Sequence, residues 1–389
     1  MNKYSLEKFK EKRKNRKMFN ITIITLLILV VLIIIALYIG NRNVRTFMDR
    51  YILRKEITEE NANTLVIDTE NLSLIYAYDK NLVTYTDGNI IFYNSSGKED
   101  GKIEMTLSKP IADSQKEYLA LGDYGSQKIC LIKSNNLIWQ KDIEGKVSKI
   151  SVNEKGYVAV SITGTTHESI VMLYNSKGEL LFSKYLSTYV METEISQDNK
   201  YIAIAEIDNS GVSPTTKIEI ISIETAMKNP ENATINTYQA GANEMVTGLK
   251  YQKKNKLLCS FDSYILRMTL ANTEKIYENT NLTAYVDINL DKGFLRVDKE
   301  ESSVFKSDYR LKINNTNEKE KTYIIEGSIK DVLDTGKIIA LNLGKEVQFI
   351  NNNGRLIKKY ISSKEIKNVI ISNKLGIMVY NDKIDIINL

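Results

Sequence analysis

Apolar and polar residues alternate over most of this chain, and short polar turns interrupt the alternation at regular intervals. Three segments are nearly the same: "FYNSSGKEDGKIEM" (92–105), "LYNSKGELLFSKYL" (173–186) and "FINNNGRLIKKYI" (349–361). Each predicts two β-strands joined by a tight turn whose glycine takes the positive-φ position. In "CLIKSNNLIWQKD" (130–142) the same frame places Asn136 where Gly178 stands, and asparagine also tolerates that conformation.

A second hairpin comes about 20 residues before each of these, as in "ISVNEKGYVAVS" (150–161), "ISQDNKYIAIAE" (195–206) and "VLDTGKIIALN" (332–342). Each is a strand, a polar turn and an alternating apolar strand. The two hairpins form a four-stranded unit that recurs about every 41 residues, a period typical of propeller blades. A β-sandwich would not repeat two hairpins in the same order so often, and a β-solenoid has shorter repeats.

The number of units predicts the size of the ring. Units start near residues 73, 110, 146, 190, 243, 284, 326 and 365. The last unit lacks a fourth strand, whereas the segment "TLVIDTE" (64–70) is a lone strand ahead of the first. We expect this strand to complete the last blade, because closure leaves no exposed sheet edge. The prediction is an all-β propeller of seven or eight blades, eight preferred, each with four antiparallel strands.

The N-terminal part follows another pattern. Residues 18–40 carry no charge and are long enough to cross a bilayer as one helix, and no cleavage site follows them. We predict a basic tail over 1–17, a transmembrane signal anchor over 18–40, a juxtamembrane segment over 41–63 and the propeller over 64–389. Within the juxtamembrane segment, the stretch 44–57 has the spacing of an amphipathic helix.

The excess positive charge lies beside this anchor. Residues 1–60 hold 13 Lys and Arg against 6 Asp and Glu, whereas the remainder holds 40 against 42. A membrane surface explains this distribution better than nucleic acid does. Eight of the basic residues precede the anchor and five follow it, so the positive-inside rule predicts a cytoplasmic N-terminus and an extracytoplasmic propeller.

Residue types needed for catalysis or metal binding are scarce. His167 is the single histidine, which excludes two-histidine sites, and its polar loop indicates solvent exposure. Cys130 and Cys259 lie in apolar strands of different units and are interpreted as buried thiols. No phosphate-binding, nucleophile-elbow or calcium-loop motif is present. The sequence therefore predicts no catalytic residue, no metal ligand and no cofactor.

Two further features receive structural interpretations. The acidic pairs Glu192/Glu194 and Glu300/Glu301 are interpreted as solvated strand faces or loop ends. Trp139 is the single tryptophan and is predicted to pack between blades. One tryptophan also excludes quinone-dependent dehydrogenases, whose eight-bladed propellers carry repeated tryptophan docking motifs.

A family resemblance rests on residues 119–211, from "YLALGDYGSQKICLI" through "YNSKGELLFSKYLS" to "EISQDNKYIAIAEIDNSG". These residues resemble an uncharacterised family of membrane-anchored β-propellers from clostridial-type bacteria. The resemblance extends to the basic start, the anchor and "FMDRYILRKEI" (47–57). It implies the same topology and fold, and it assigns no catalytic residue and no substrate.

These observations predict a non-enzymatic binding or scaffolding platform in the cell envelope. Its partners would be the bilayer, through residues 18–40, and an envelope protein or cell-wall polymer. The alternatives are a glycan-active enzyme that uses carboxylates near the central channel, and a ligand sensor. The second turns "TGTTHES" (163–169) and "DNSGVSPTTK" (208–217) are longer and more individual than the first and third turns. We therefore predict a partner surface that contains Thr166, His167, Asn209 and Pro214.

Overall fold

The computed structural model describes residues 3–41, 44, 48, 52–53, 55–300, 308–315 and 319–389. The chain forms two compact units, Met1–Ile57 and Thr58–Leu389. The first contains helix α1 (Lys3–Gly40), whose segment Asn20–Gly40 is long and apolar enough to cross a membrane. Half of the residues of the helix predicted over 44–57 lie outside the described residues, and its last two residues, Glu56 and Ile57, belong to a strand instead. A short strand, β1 (Glu56–Thr58), spans the boundary between the units.

The second unit is an eight-bladed β-propeller, and each blade contains four antiparallel strands, as predicted; seven of the eight sheets have these four strands alone. Blades one and two contain β3 (Leu74–Tyr78), β4 (Asn81–Thr86), β5 (Asn89–Tyr93), β6 (Glu99–Glu104), β7 (Pro110–Gln115), β8 (Tyr118–Asp123), β9 (Lys128–Lys133) and β10 (Asn136–Asp142). Blades three and four contain β11 (Lys146–Val152), β12 (Val158–Thr163), β13 (Ser169–Tyr174), β14 (Leu180–Leu186), β15 (Tyr189–Ile195), β16 (Tyr201–Asp208), β17 (Thr215–Ser222) and β18 (Thr234–Ala242), with a short helix α2 (Ile223–Ala226) after β17.

The remaining four blades follow the same order. Blades five and six contain β19 (Val246–Gln252), β20 (Lys256–Phe261), β21 (Tyr264–Met268), β22 (Thr273–Glu278), β23 (Thr283–Asp287), β24 (Phe294–Lys299), β25 (Asp308–Asn314) and β26 (Lys321–Glu326). Blades seven and eight contain β27 (Asp331–Asp334), β28 (Ile338–Asn342), β29 (Glu346–Asn351), β30 (Leu356–Ile361), β31 (Asn368–Ile371), β32 (Leu375–Val379) and β33 (Lys383–Asn388).

The fourth strand of blade eight comes from the other end of the propeller. Strand β2 (Asn63–Val66) pairs antiparallel with β33, so that Asn63 lies opposite Ile386 and Val66 lies opposite Lys383. Thr69 then donates a hydrogen bond of 2.6 Å to the carbonyl of Tyr380. The predicted closure by the lone N-terminal strand is confirmed.

The repeated asparagine turns share one geometry. The Asn175 side chain accepts hydrogen bonds from the N–H groups of Lys177 and Glu179, and Gly178 has φ +81°. Asn94 and Asn351 start equivalent turns in blades one and seven. The prediction for blade two is wrong, because β10 already begins at Asn136. There the left-handed residues are Ser134 and Asn135, at φ 47° and 64°, in a two-residue turn.

The hydrophobic core lies between neighbouring blades. Trp139 of blade two packs against Tyr174 of blade three, with ring centroids 5.9 Å apart, as predicted. Cys130 and Cys259 are buried free thiols, also as predicted. Between blades five and six the buried cluster is small and consists of Leu258, Ile265, Ile288 and Phe294. Because few apolar side chains fill the interface between blades five and six, this interface has room for a cleft.

Candidate functional site

The four residues predicted for the partner surface lie at one end of two neighbouring blades. Thr166 and His167 lie in the turn between β12 and β13, and Asn209 and Pro214 lie in the turn between β16 and β17. Thr166, His167 and Asn209 are exposed, whereas Pro214 is half-buried. The His167 ring lies tilted against the ring of Tyr185, with centroids 4.9 Å apart, and Tyr185 is itself 51% exposed.

Further apolar side chains extend this surface. Tyr189 begins β15 and is 40% exposed, and Val212 in the second turn of blade four is fully exposed. In blade two, Tyr124 is 46% exposed and carries the Lys109 ammonium 4.4 Å from its ring centroid. We call the side chains of Tyr124, Thr166, His167, Tyr185, Tyr189, Asn209, Val212 and Pro214 the second-turn surface.

Second turns differ among the blades. Blades one and five have two-residue turns, Asp87–Gly88 and Asp262–Ser263, so the expectation of long second turns fails there. In blade six the connection over 300–307 lies mostly outside the described residues. The third-turn insertion at 224–236 offers less free surface than its length indicates, because Ala226 and Ala233 are buried against blades three and four.

A second candidate site follows from strand register. The first strand of every blade pairs with the second strand, and one pairing position recurs around the propeller. Its first-strand residues are Tyr76, Asp113, Ser151, Glu194, Lys250, Asp287, Leu333 and Ile370. We call these eight residues the axial ring, because first strands are the innermost strands of propeller blades. Three of the eight carry a carboxyl group and one carries an ammonium group.

In blades two to four, the axial ring bonds to the first strand of the following blade. The Val152 N–H donates to Asp113 at 2.7 Å, and the Ser151 and Thr193 hydroxyls are 2.9 Å apart. Glu194 forms an ion pair of 3.4 Å with Lys250, and about one fifth of each side chain is exposed. These contacts give the ring position a structural role that joins neighbouring blades.

Blades six and seven depart from that pattern. Asp287 accepts hydrogen bonds from Asn289 in its own turn, and Asp334 accepts one of 2.6 Å from the Gly336 N–H. The other carboxyl oxygen of Asp334, Oδ2, is buried and has no hydrogen-bond partner among the residues that the structure describes. Asp334 directly follows Leu333 of the ring, and an unpaired buried carboxylate oxygen is costly, so this position favours the neutral form of the carboxyl group.

Burial and nearby charges shift the pKa values of the charged ring residues and of Asp334. Burial raises the pKa of Asp113, Asp287 and Asp334, and the carboxylates of Asp287 and Asp291 raise the pKa of Asp334 further. The Glu194 side chain is about four-fifths buried and paired with Lys250, so its interpretation as a solvated strand residue is wrong, and burial raises its pKa. Burial alone would lower the pKa of Lys250, but the carboxylates of Glu194 and Asp113 raise it.

A cleft of about 530 Å³ reaches the axial ring between blades five and six. It extends along β23 from Thr283 to Asp287, and Asp262, Asn279 and Asn289 also line it. Sequence reasoning missed this site because the chain has 48 carboxylate residues, and nothing in the local sequence distinguishes those that line the cleft from the others. The signal that could have found it is the alignment of each first strand on the turn that follows.

Comparison with solved structures shows the fold. Sqt1 from Chaetomium thermophilum, bound to the N-terminus of the ribosomal protein L10, is 8% identical with a TM-score of 0.54, over 84% of this chain and 100% of that chain. Apo AztD from Citrobacter koseri is 8% identical with a TM-score of 0.52, over 78% and 87%. A eukaryotic initiation factor is 12% identical with a TM-score of 0.50, over 79% and 81%.

Sequence comparison gives the family. No curated protein matches the chain. Residues 53–389, which include the whole propeller, match a family of unknown function, DUF5711. The match agrees with the resemblance noted above, and the chain belongs to this family.

Proposed function

We propose that this chain is a single-pass membrane protein whose extracytoplasmic propeller binds a protein partner of the cell envelope. The observation that carries the proposal is the exposed contact between the His167 and Tyr185 rings in the second-turn surface. Exposed aromatic side chains in a cluster are typical of protein-binding surfaces, because they bury a large area at little cost in conformational entropy.

The composition of the surface supports a protein partner. Tyr124, Tyr189 and Val212 add apolar area, while Lys109 beside Tyr124 supplies a polar rim. Continuous apolar patches on an otherwise polar surface mark interaction sites. The axial carboxylates of blades two and four already bond to the first strand of the following blade, which favours binding over carboxylate catalysis at those positions.

The anchor and its charges support the location. Asn20–Gly40 is long and apolar enough to cross the membrane, and eight basic residues precede residue 18. By the positive-inside rule, this charge distribution supports a propeller outside the cytoplasm. Protease added to intact protoplasts should digest the propeller while a cytoplasmic control protein survives. Protection of the propeller until the membrane is lysed would contradict this orientation.

Capture of partners from native membranes tests the surface. The full chain should lose about tenfold or more in affinity for a captured envelope protein when His167 and Tyr185 are changed to alanine, as expected for a central aromatic pair. The matched control is Lys177→Ala with Glu224→Ala, because both residues are exposed at the opposite end of the same two blades. An equal loss of affinity in the control variant would mean that the partner does not bind specifically at the second-turn surface.

A further inference from the structure

Every blade has a lysine in its first turn, which joins its first strand to its second. The eight first turns hold nine lysines and five acidic residues, whereas residues 61–389 as a whole hold 40 basic and 42 acidic residues. Apart from blade six, whose second turn lies mostly outside the described residues, the second turns hold one lysine, Lys345, against four acidic residues. Antiparallel strands place first and second turns at opposite ends of a blade, so positive charge is concentrated at one end of the propeller.

Most of these lysines have no charged partner. Lys116 pairs with Glu154 at 2.5 Å, and Lys374 pairs with Asp79 at 2.7 Å. The other seven are exposed and form no ion pair with a residue that the structure describes; they are Lys80, Lys155, Lys200, Lys253, Lys254, Lys292 and Lys337. We call these seven side chains the first-turn lysines. Because the ion pairs neutralise carboxylates of the same turns, this end of the propeller keeps a strong excess of positive charge.

The first turns are joined into one closed ring. At each of the eight boundaries between blades, a hydrogen bond or ion pair connects groups in or next to neighbouring first turns. The Asn153 amide donates to the Ser196 carbonyl at 3.0 Å, and the Gln252 amide donates to the Gly293 carbonyl at 2.6 Å. The backbone that carries the lysines is therefore held in place before any ligand binds, which lowers the entropy cost of binding.

The residue types indicate which ligand such a ring accepts. All nine basic residues are lysines, and the first turns contain no arginine. A lysine ammonium is a mobile point charge, so the ring recognises charge density rather than the planar shape of one group. Lysine binds phosphate in this way. The first turns also have no exposed large apolar side chain, so they offer nothing that would insert into a bilayer.

We propose that the first-turn lysines bind a linear polyanion whose charges are phosphate groups. Successive phosphates of the polymer contact lysines of neighbouring blades, and each contact releases counterions, which favours binding at low salt. A ring of separated charges suits a long polymer better than a single phosphate, because one phosphate meets only one or two lysines. The second-turn surface lies at the other end of the blades, so this site does not depend on the proposed protein partner.

Lysine footprinting of the full chain in detergent tests the site directly. Acetic anhydride modifies exposed lysines, and mass spectrometry of the peptides gives the rate at each position. Saturating polyphosphate should slow the acetylation of the first-turn lysines by about fivefold or more, because bound polymer covers them. Lys146, Lys345 and Lys367 are exposed at the opposite end of the blades, and their rates should not change.

Substitutions test the contribution to affinity. Lys155→Gln combined with Lys200→Gln and Lys253→Gln removes one charge from each of three neighbouring blades. This variant should bind polyphosphate about tenfold or more weakly, and the slope of log affinity against log salt should fall by about two. The matched control combines Lys146→Gln, Lys345→Gln and Lys367→Gln, and it should keep the affinity of the unmodified protein. Both variants keep the basic residues before residue 18, so their difference reports the propeller alone.

Four results would overturn the inference: no saturable binding of polyphosphate, equal protection of the two sets of lysines, equal weakening in the two triple variants, or protection by phosphatidylglycerol vesicles but not by polyphosphate. The last would mean that the ring meets a membrane surface. Polyglutamate that binds as tightly as polyphosphate would overturn the assignment of phosphate. Melting temperatures accompany every variant, and the footprint of the unmodified protein stays decisive even where a variant is destabilised.

Discussion

Thr64 and Asp385 lie directly opposite each other in the last blade, and the Thr64 hydroxyl donates a hydrogen bond of 2.6 Å to the Asp385 carboxylate. In the sequence they are 321 residues apart. Asp385 is fully buried and also accepts hydrogen bonds from Tyr360 at 2.6 Å and Lys383 at 2.8 Å. One buried carboxylate thus joins β2 to the C-terminal blades.

Thr64→Val should therefore destabilise the propeller. The substitution keeps the shape of the side chain but leaves one Asp385 oxygen without its donor, a loss of about 2 kcal/mol for a hydrogen bond to a charged group. The midpoint of urea unfolding measures it. Thr106→Val is the control, since Thr106 is exposed in a connection between blades, and its effect should stay within about 0.5 kcal/mol. Equal midpoints for the two variants would contradict a role in closure.

Glu59 should make the stability of the closed propeller ring depend on pH in the acid range. Burial favours the neutral carboxyl, but hydrogen bonds from Lys383, Ser362 and Ser363 outweigh it and lower the pKa of Glu59 from 4.5 to about 2. A carboxyl whose pKa is lowered by folding stabilises the folded state above its unfolded pKa. That stabilisation is lost as the pH falls from about 4.5 towards 2.

Melting temperature measured across this pH range tests the prediction. Glu59→Gln should flatten the decline, because the amide does not titrate. Glu60→Gln, which changes an exposed neighbour, should keep the slope of the unmodified protein. Parallel curves for Glu59→Gln and the unmodified protein would show that Glu59 does not contribute.

Lys184 should contribute more to the stability of the propeller than a surface lysine does. It is buried between blades three and four and lies 3.2 Å from Glu219, which also pairs with Lys217 at 3.1 Å. Lys184→Met removes one partner of a buried ion pair, and we expect a loss of about 3 kcal/mol in unfolding free energy. Lys149→Met is the comparison, because the Lys149–Glu192 pair is largely exposed, and we expect less than about 1 kcal/mol there. Similar losses of unfolding free energy in the two variants would show that burial of the Lys184–Glu219 pair does not matter.

A substitution of Gly178 should disturb both its turn and the neighbouring Trp139, the single tryptophan of the chain. Its φ is +81°, and a methyl group added there would lie 3.0 Å from Cγ of Trp139. Gly178→Ala should destabilise the chain and shift the Trp139 fluorescence. Gly88→Ala is the control, because Gly88 has φ +76° and a methyl group added there would have no neighbour within 4 Å. This substitution should lower the free energy of unfolding by about 1 kcal/mol through backbone strain and leave the fluorescence unchanged. An unchanged spectrum in Gly178→Ala would mean that Trp139 does not contact this turn.

The blades could be predicted from sequence because each hairpin carries its own local signal. Asn175 and Gly178 specify a turn through backbone conformation, and the alternation on either side specifies strands. Ring closure could also be inferred, since an unpaired first strand and an incomplete last unit complement each other. Blade two was mispredicted because Ser134 and Asn135 close a shorter turn, and serine rarely takes a positive φ.

The axial carboxylates could not be singled out in the same way. Asp113, Glu194 and Asp287 occur in unrelated local sequences, and their relation is a shared register across blades. Alternation identifies which residues share one face of a strand, but it does not bring eight strands to one axis. The burial of Glu194 depends on that assembly, and for that reason local sequence suggested a solvated residue.

The pairing of β2 with β33 has a consequence for synthesis of the protein. Translation produces β2 hundreds of residues before its partner, so the ring cannot close until β33 has left the ribosome. Until then β2 has no neighbour and the earlier blades form an open arc with sheet edges available to chaperones or to other chains. A premature stop anywhere before β33 would leave that arc open, so a truncated chain would keep unpaired sheet edges that the complete ring does not have.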